Sequence, residues 1–342
     1  MRCGLFVKMD VFLTKIIRMH SIAQYRTKFI SYLESRTKTK EPKNLYEPIT
    51  YILGLGGKRL RPVLTLMAAE IFDKNYSEAL DAALAIEVFH NFSLVHDDIM
   101  DAAPLRRGKS TVHEKWDVNT AILSGDAMLI TAYQLFENYE VNIFRDLARL
   151  FGTTALQVCE GQQYDVDFET REDVTVPEYL KMIEYKTAVL VGAALKMGGI
   201  VAGASEADQN HIYQFGRNLG IAFQLQDDYL DAFGDPKTFG KQVGGDIIAN
   251  KKTFLYLTAC ELASEEQKRA LEHLFSIYPK DVTDKVNTVK EIFEQSTAVE
   301  KTQEAIKEYT HGAFEVLDKL KISAEKRALL ETFGKQLMHR EA

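Results

Sequence analysis

Cysteine is scarce in this chain. Its 342 residues contain three, Cys3, Cys159 and Cys260. The number is odd and no Cys-x-x-Cys occurs, which argues against a disulfide framework or a thiolate zinc cluster and fits a reducing compartment. Cys159 and Cys260 read as small buried hydrophobes. Basic charge is short as well: 42 Lys and Arg stand against 49 Asp and Glu, a net charge of -7. That balance argues against nucleic acid as a general partner, because phosphate backbones attract basic surfaces. It leaves room for a phosphate ligand, since bound divalent cations invert the local field. No apolar run is long enough to span a bilayer. The nearest, residues 189–204, is interrupted by Lys196 and rich in glycine, and reads as a tightly packed buried helix. Near the N-terminus the apolar runs are broken by Lys8, Asp10, Lys15 and Arg18, with no small-residue cleavage site after them. Residues 1–18 therefore read as an extension before the core rather than a signal peptide, and the expected location is the cytoplasm.

Strand-like alternation is the other thing in short supply. Apolar residues recur at Ile22, Tyr25, Phe29, Ile30 and Leu33, a three-to-four spacing that marks one face of a helix. Similar patterns cover 78–100, 119–138, 141–163, 178–203, 208–232 and 251–275. Their breaks are helix punctuation. Thr175-Val176-Pro177-Glu178 is a capping box with proline in the first turn. The glycine pairs at 56–57, 198–199 and 244–245 mark turns or close backbone approach. Polar stretches at 34–44 and 167–177 read as loops too short to separate domains. The expectation is an all-α protein, one large helical bundle over residues 19–342.

What the sequence does have is carboxylate, clustered twice. His96-Asp97-Asp98-Ile99-Met100-Asp101 is echoed by Gln226-Asp227-Asp228-Tyr229-Leu230-Asp231. Both place Asp-Asp-x-x-Asp at the end of a long helical pattern. Residues four apart share a helix face, so Asp97 points with Asp101 and Asp227 with Asp231. Like charges so placed repel, and the C-terminal end of a helix dipole disfavours anions. Capping therefore does not explain them, because capping wants acids at the start of a helix. A hard divalent cation does. Mg²⁺ takes oxygen ligands and typically uses one or two carboxylates together with substrate phosphates. The central glycine and terminal glutamate of a calcium EF-hand are absent.

Basic residues flank the acidic clusters in order. Lys58, Arg59 and Arg61 follow the glycines of Gly54-Leu55-Gly56-Gly57, and Arg106 and Arg107 follow the first cluster. Lys186, Lys241 and Lys251 stand singly in apolar or glycine-rich surroundings. Arginine suits bidentate phosphate contacts and lysine acts as a point charge. The glycine stretch lacks the Gly-x-x-x-x-Gly-Lys-Ser/Thr arrangement of a P-loop.

Taken together, these elements resemble the trans-isoprenyl diphosphate synthases, or polyprenyl synthetases. The matches run in order through residues 56–62, 96–101, Arg106-Arg107-Gly108, Gly161-Gln162 with Asp165, Lys186-Thr187, 223–231 and Gly240-Lys241. The resemblance implies the isoprenoid synthase fold with a deep central cavity, a homodimer, several Mg²⁺ ions, and condensation of isopentenyl diphosphate with an allylic diphosphate. It implies that Asp97, Asp101 and Asp227 bind Mg²⁺ and the allylic diphosphate, with Asp98, Asp228 and Asp231 completing the two motifs. Arg106 would contact the allylic diphosphate. Lys58, Arg61, His90 and Arg107 would hold isopentenyl diphosphate. Lys186, Thr187, Gln224 and Lys241 would complete the allylic side, with Lys251 beside them and Asp165 in the Gly161 motif.

In such enzymes a large residue five positions before the first aspartate commonly floors the product cavity. Here that is Phe92, followed by the small Ser93, with Phe89 one turn deeper. The pattern resembles short-chain synthases, with a product of about fifteen to twenty carbons, twenty favoured, because the depth of an apolar pocket bounds its ligand. Two other readings compete. A class I terpene cyclase shares the first acidic motif, but usually carries a different second metal motif and lacks the Gly-Gly-Lys-Arg element. A non-catalytic subunit of a heteromeric prenyltransferase tends to lose aspartates, and both motifs here are intact.

Overall fold

Ser21 opens the first helix by a reciprocal exchange. Its hydroxyl accepts from the Gln24 backbone amide at 3.3 Å, and the Gln24 side chain accepts from the Ser21 amide at 2.8 Å. The helix that follows, α1 (Ile22–Arg36), buries Tyr25, Phe29 and Leu33, the stripe its spacing announces. This computed structural model describes residues 19–235 and 243–338, and the architecture over them is an all-α bundle.

The chain runs on through α2 (Lys43–Gly54), α3 (Leu60–Ile71), α4 (Leu80–Met100), α5 (Val112–Lys115), α6 (Val118–Gln134), α7 (Val141–Thr170), α8 (Val176–Ile183), α9 (Val189–Val201) and α10 (Glu206–Phe233). Five further helices close the C-terminal part: Phe254–Leu262, Glu265–Leu274, Thr283–Gln295, Ala298–Leu317 and Ala324–Met338, with a short turn of helix at Gly245–Ile248 before them. The expected capping box at Thr175 and Glu178 begins α8, with Pro177 in its first turn.

Helix α9 is the glycine-rich stretch, and it lies at the centre, buried almost throughout. Its glycines permit close packing: a Cβ on Gly198 would stand 2.3 Å from the Thr65 carbonyl oxygen of α3. Thr65 Oγ1 also donates to the Ala194 carbonyl at 2.9 Å, satisfying a hydroxyl that has no access to water. One apolar cluster gathers α1 to α4, α6, α7 and α9 with the last two helices, and a second gathers α8 with the helices Phe254–Leu262, Glu265–Leu274 and Thr283–Gln295. Helix α10 serves both, giving Phe215 and Leu219 to the first and Ile221 and Leu225 to the second.

Several boundaries differ from the sequence reading. Helix α7 continues to Thr170, so the loop expected from 167 begins at Arg171. The pattern at 178–203 is one bent element, α8 and α9 joined by a π-helical turn at Glu184–Ala188. The pattern at 251–275 splits at Ala263-Ser264, where Ser264 caps a new helix. A two-stranded hairpin, β1 (Leu105–Arg106) with β2 (Lys109–Ser110), stands where no strand was expected. Cys159, expected to be buried, is exposed on α7, and neither it nor Cys260 is disulfide-bonded. No helix among the described residues is long and apolar enough to cross a membrane.

Candidate active site

The two aspartate motifs end up at the ends of α4 and α10, as the helical patterns require. Asp97 and Asp98 sit in the last turn of α4 and Asp101 is its C-cap, while Asp227, Asp228 and Asp231 lie in the last two turns of α10. A cavity of about 880 Å³ opens between these ends. Asp101 contributes from α4, Asp165 from α7, Lys186 and Thr187 from the π-helical turn, Gln224, Asp227, Asp228 and Asp231 from α10, and Lys251 from the loop before Phe254.

Asp97 joins this set through Lys186, whose ammonium stands 3.8 Å from Asp97 Oδ1 and 2.5 Å from Asp165 Oδ2. Lys186 can reach both because the π-helical turn pushes it toward α7. The contact is backbone-close: a Cβ on Gly161 would stand 2.2 Å from the Lys186 amide nitrogen. That is the physical content of the Gly161 motif.

The middle aspartates behave differently from their neighbours. Asp98 is buried and clasped by Arg106, whose Nε lies 2.8 and 2.9 Å from its two oxygens and whose Nη2 lies 2.6 Å from Oδ1. Asp228 is buried and accepts from the Tyr179 hydroxyl and, at 3.0 Å, from Gln224 Nε2. Burial, with the charge of Asp246, pushes the Asp228 carboxyl up to about 7, against the two hydrogen bonds. Asp231 Oδ2 accepts from the Asp246 backbone amide at 2.9 Å, which ties α10 to the Gly244-Gly245 turn. Tyr179→Phe should therefore lower stability by about 1–3 kcal/mol, the cost of leaving a buried acceptor short of a partner. Urea denaturation of the pair of proteins measures it.

Asp97 is the contrasting case. Its Oδ1 is buried and accepts no hydrogen bond. Burial raises its carboxyl above the usual range, Lys186 opposes this, and Asp101 adds to it. Such an oxygen, beside a second carboxylate one turn on, suits a hard divalent cation. Among the described residues no three His, Cys, Asp or Glu side chains close on one metal position. Carboxylates on two separate walls leave the remaining positions of an octahedral ion to water and substrate oxygens, which is the way Mg²⁺ is usually held. The donor set therefore fits Mg²⁺, with Asp97 and Asp101 on one wall and Asp227 on the other.

The basic residues divide into two groups. Lys186 and Lys251 line the acidic cavity. Desolvation works against the Lys251 ammonium, but Asp165, Asp246, Asp101 and Asp97 together hold its pKa above the ordinary lysine value. Arg61 and Arg107 form a separate cationic cluster around His90. Arg61 Nη1 lies 3.3 Å from His90 Nε2, and burial together with Arg61, Arg107, Arg106 and Arg59 keeps the imidazole well below its usual pKa. His90 is thus neutral at pH 7 and accepts from Arg61. Arg107 donates to the Gly56 carbonyl and lies across Gly57, whose φ of +120° needs glycine and whose missing Cβ leaves the guanidinium its space.

One expectation changes here. Arg59, grouped from sequence with the phosphate-facing basic residues, is buried, pairs with Glu87 and donates to the Leu53 carbonyl. It anchors the start of α3 instead, so Lys58 and Arg61 are separated by a residue facing inward. Arg106, expected on the allylic diphosphate, pairs with Asp98 and lies 3.8 Å from Asp97 Oδ2 at the edge of the first motif. Lys241, with Gly240, lies outside the described residues. Tyr179 and Asp246 were missed. Asp246 had a signal, an acid directly after a glycine pair; Tyr179 had none.

Phe89 and Phe92 are both buried below the aspartates, their ring centroids 5.5 Å apart. Phe92 meets the His96 ring edge-on at 4.8 Å, and Phe89 meets Phe151 of α7 at 5.1 Å. Ser93 donates its hydroxyl to the His90 carbonyl at 2.9 Å, so it presents little bulk beyond its own helix.

Residues 42–295 match the polyprenyl synthetase family. The chain belongs to that family. A geranylgeranyl diphosphate synthase of Methanosarcina mazei is 42% identical over 223 residues, 64% of this chain and 68% of that protein. A geranylfarnesyl diphosphate synthase of Natronomonas pharaonis is 35% identical over 338 residues, 94% of this chain and 97% of that one. A crystal structure of a geranylgeranyl pyrophosphate synthase superposes with a TM-score of 0.91 at 55% identity, covering 95% of this chain and 100% of that one. The polyprenyl synthetase described here is therefore an enzyme, a prenyltransferase with an all-α fold.

Proposed function

We propose that this polyprenyl synthetase condenses isopentenyl diphosphate with an allylic diphosphate, head to tail, to give an all-trans prenyl diphosphate of about twenty carbons, the length bounded by the depth of the apolar pocket. The observation that carries the reading is the pair of Asp-Asp-x-x-Asp helix ends lining one cavity, with Arg61 and Arg107 gathered around a neutral His90. The whole of residues 19–342 is read as the catalytic unit.

Asp97 and Asp101 on one wall and Asp227 on the other would hold Mg²⁺, with Asp98, Asp228 and Asp231 bracing the motifs. Mg²⁺, when bound, would neutralise the leaving diphosphate and so ease ionisation of the allylic carbon–oxygen bond. Lys186, Thr187, Gln224, Lys241 and Lys251 would hold that diphosphate from the sides, adding preorganised positive charge where negative charge develops. Arg106, held against Asp98, would contact the allylic diphosphate. Lys58, Arg61, His90 and Arg107 would hold isopentenyl diphosphate so that its double bond meets the allylic carbon as the diphosphate leaves. The proton lost afterwards passes to the departing diphosphate, and no side-chain nucleophile is needed. Apolar walls around Phe89 and Phe92 would keep water from the cation.

The test is incubation of the purified chain with Mg²⁺, isopentenyl diphosphate and allylic primers of increasing length. Diphosphate release and a single short-chain product are expected, both abolished by a chelator and restored by Mg²⁺. No release with any primer would sink the reading. A cyclic hydrocarbon product would favour a terpene cyclase instead.

The chain is also read as a homodimer. Ile122, Leu123 and Ile130 of α6 and Val141 and Leu156 of α7 are exposed, Leu123 and Leu156 at 61% each. Large apolar side chains bared on neighbouring helices favour a protein partner, and a second copy of this chain offers the same surface in return. Leu123→Glu should convert the dimer to monomer in light scattering; an unchanged mass would exclude this face as the interface.

A further inference from the structure

The turn at residues 249–253 carries Lys251 to the cavity, and two other lysines fasten it. Lys252, half-buried, donates to the Phe168 carbonyl at 2.9 Å, to the Glu169 carbonyl at 3.5 Å and to the Arg171 carbonyl. The first two belong to the last turn of α7 and the third to its C-cap residue. Carbonyls at a helix end have no partner within the helix, and an ammonium there also meets the negative end of the dipole. Lys252 thus clips the end of α7, the helix that carries Asp165, to the backbone that carries Lys251.

Lys285 works from the opposite side. It comes from the helix Thr283–Gln295 and its residue exposure is only 3%. Its ammonium donates to Asn250 Oδ1 and, at 3.0 Å, to the Ile277 carbonyl, with the rings of Phe275 and Tyr278 at 5.8 and 5.7 Å. Burial pushes its pKa down from the ordinary lysine value. Asn250 has a φ of 58°, and its own amide reaches the Ile277 carbonyl at 3.4 Å. A left-handed residue other than glycine persists where its surroundings over-determine it. Here a buried cation, a carbonyl and the side-chain amide all specify one conformation directly before Lys251. Burying a charge is costly unless it is hydrogen-bonded, and the hydrogen bonds of Lys285 go to this turn and to the adjoining cavity wall.

We propose that Lys252 and Lys285 are positioning residues for the diphosphate site: together they clamp the 249–253 turn between α7 and the Thr283–Gln295 helix, so that Lys251 stands among Asp97, Asp101, Asp165 and Asp246. Neither touches the reacting atoms. Lys251 is a long, exposed side chain, so its reach is set by where its backbone is held. The proposal rests on the reading of Lys251 as a diphosphate contact.

The experiment compares Lys252→Met, Lys252→Arg, Lys251→Ala and the double variant Lys251→Ala/Lys252→Met with the parent enzyme. Calorimetry with Mg²⁺ and inorganic diphosphate gives Kd, and steady-state assays give kcat and the KM for each substrate. Lys252→Met should weaken diphosphate binding by up to about 10²-fold, the scale set by an ångström of misplacement. The KM for isopentenyl diphosphate should stay as it was. Lys252→Arg should restore binding, and in the Lys251→Ala background Lys252→Met should add nothing. Lys285→Met should act in the same direction; Lys252, nearer the surface, carries the test if that variant does not fold. Normal diphosphate binding by Lys252→Met beside weakened binding by Lys251→Ala overturns the clamp alone, as does a Lys252→Met loss of equal size in both backgrounds. Normal binding by Lys251→Ala overturns the reading of Lys251 and the clamp with it.

Discussion

Asp97→Ala should cut turnover by about 10²–10³-fold, the usual scale for losing one group that stabilises developing charge, and should do so without destabilising the fold. The two halves of this expectation have one cause. Asp97 Oδ1 is buried and accepts no hydrogen bond from the protein. Burial, before anything else, lifts its pKa, and the carboxylate of Asp101 works in the same sense. In the protein alone, the ionised Asp97 is therefore a strained group, partly relieved by Lys186 at 3.8 Å and Arg106 at 3.8 Å. Removing it takes away desolvation and repulsion along with those two weak pairings, so metal-free stability should hold or rise. What disappears is the metal ligand. Turnover with saturating Mg²⁺, and thermal melting with and without Mg²⁺, separate the two effects. The parent should melt higher with Mg²⁺ because a ligand bound only by the folded state stabilises it, and the variant should show much less of that gain. A variant that loses activity and unfolds readily without metal would make Asp97 a structural residue.

Phe92→Ala should lengthen the product and cost about 3–5 kcal/mol of stability, the range for truncating a buried aromatic side chain. Phe92 is 8% exposed and packs between Phe89 and His96. Its removal opens space between Phe89 and His96, while Phe89, held by Phe151, stays as a deeper floor. The extension should accordingly be small, with the larger step reserved for the Phe89→Ala/Phe92→Ala pair. Product chromatography reads the length and urea denaturation reads the stability. An unchanged product from a folded Phe92→Ala enzyme would exclude the gate. Phe92→Leu keeps most of the volume and should move both quantities much less.

The parts of the site that could be read from the sequence are those fixed by local geometry. Carboxylates four apart on a helix share a face wherever the helix is placed, so both aspartate motifs and their separation into two ledges were legible. So were the capping box at Thr175 and the buried, glycine-rich character of α9. The parts that could not be read depend on partners beyond the local helical pattern. Arg59 looks like its neighbours Lys58 and Arg61 until Glu87, 28 residues away, turns it inward. Asp98 looks like Asp97 until Arg106 clasps it, and Asp228 looks like Asp227 until Tyr179, 49 residues away, binds it. Lys252 and Lys285 carry no motif, since their partners are mostly backbone carbonyls, which any sequence supplies. The hairpin at 105–110 was missed for a simpler reason: strands of two residues are too short to display a period.

The π-helical turn at Glu184–Ala188 has a consequence for the whole second half of the chain. A π turn accommodates one residue more than an α turn, and each residue of an α-helix advances the direction of its side chain by about 100°. Deleting a single residue there would heal the helix, and by the local measure of backbone hydrogen bonding would improve it. It would also swing Lys186 and everything before it by about that angle relative to α9, turning the Lys186 ammonium away from Asp165. The irregularity is thus a phase setting between two helical segments, one that lets α9 keep its buried face while the residues just before it address the cavity.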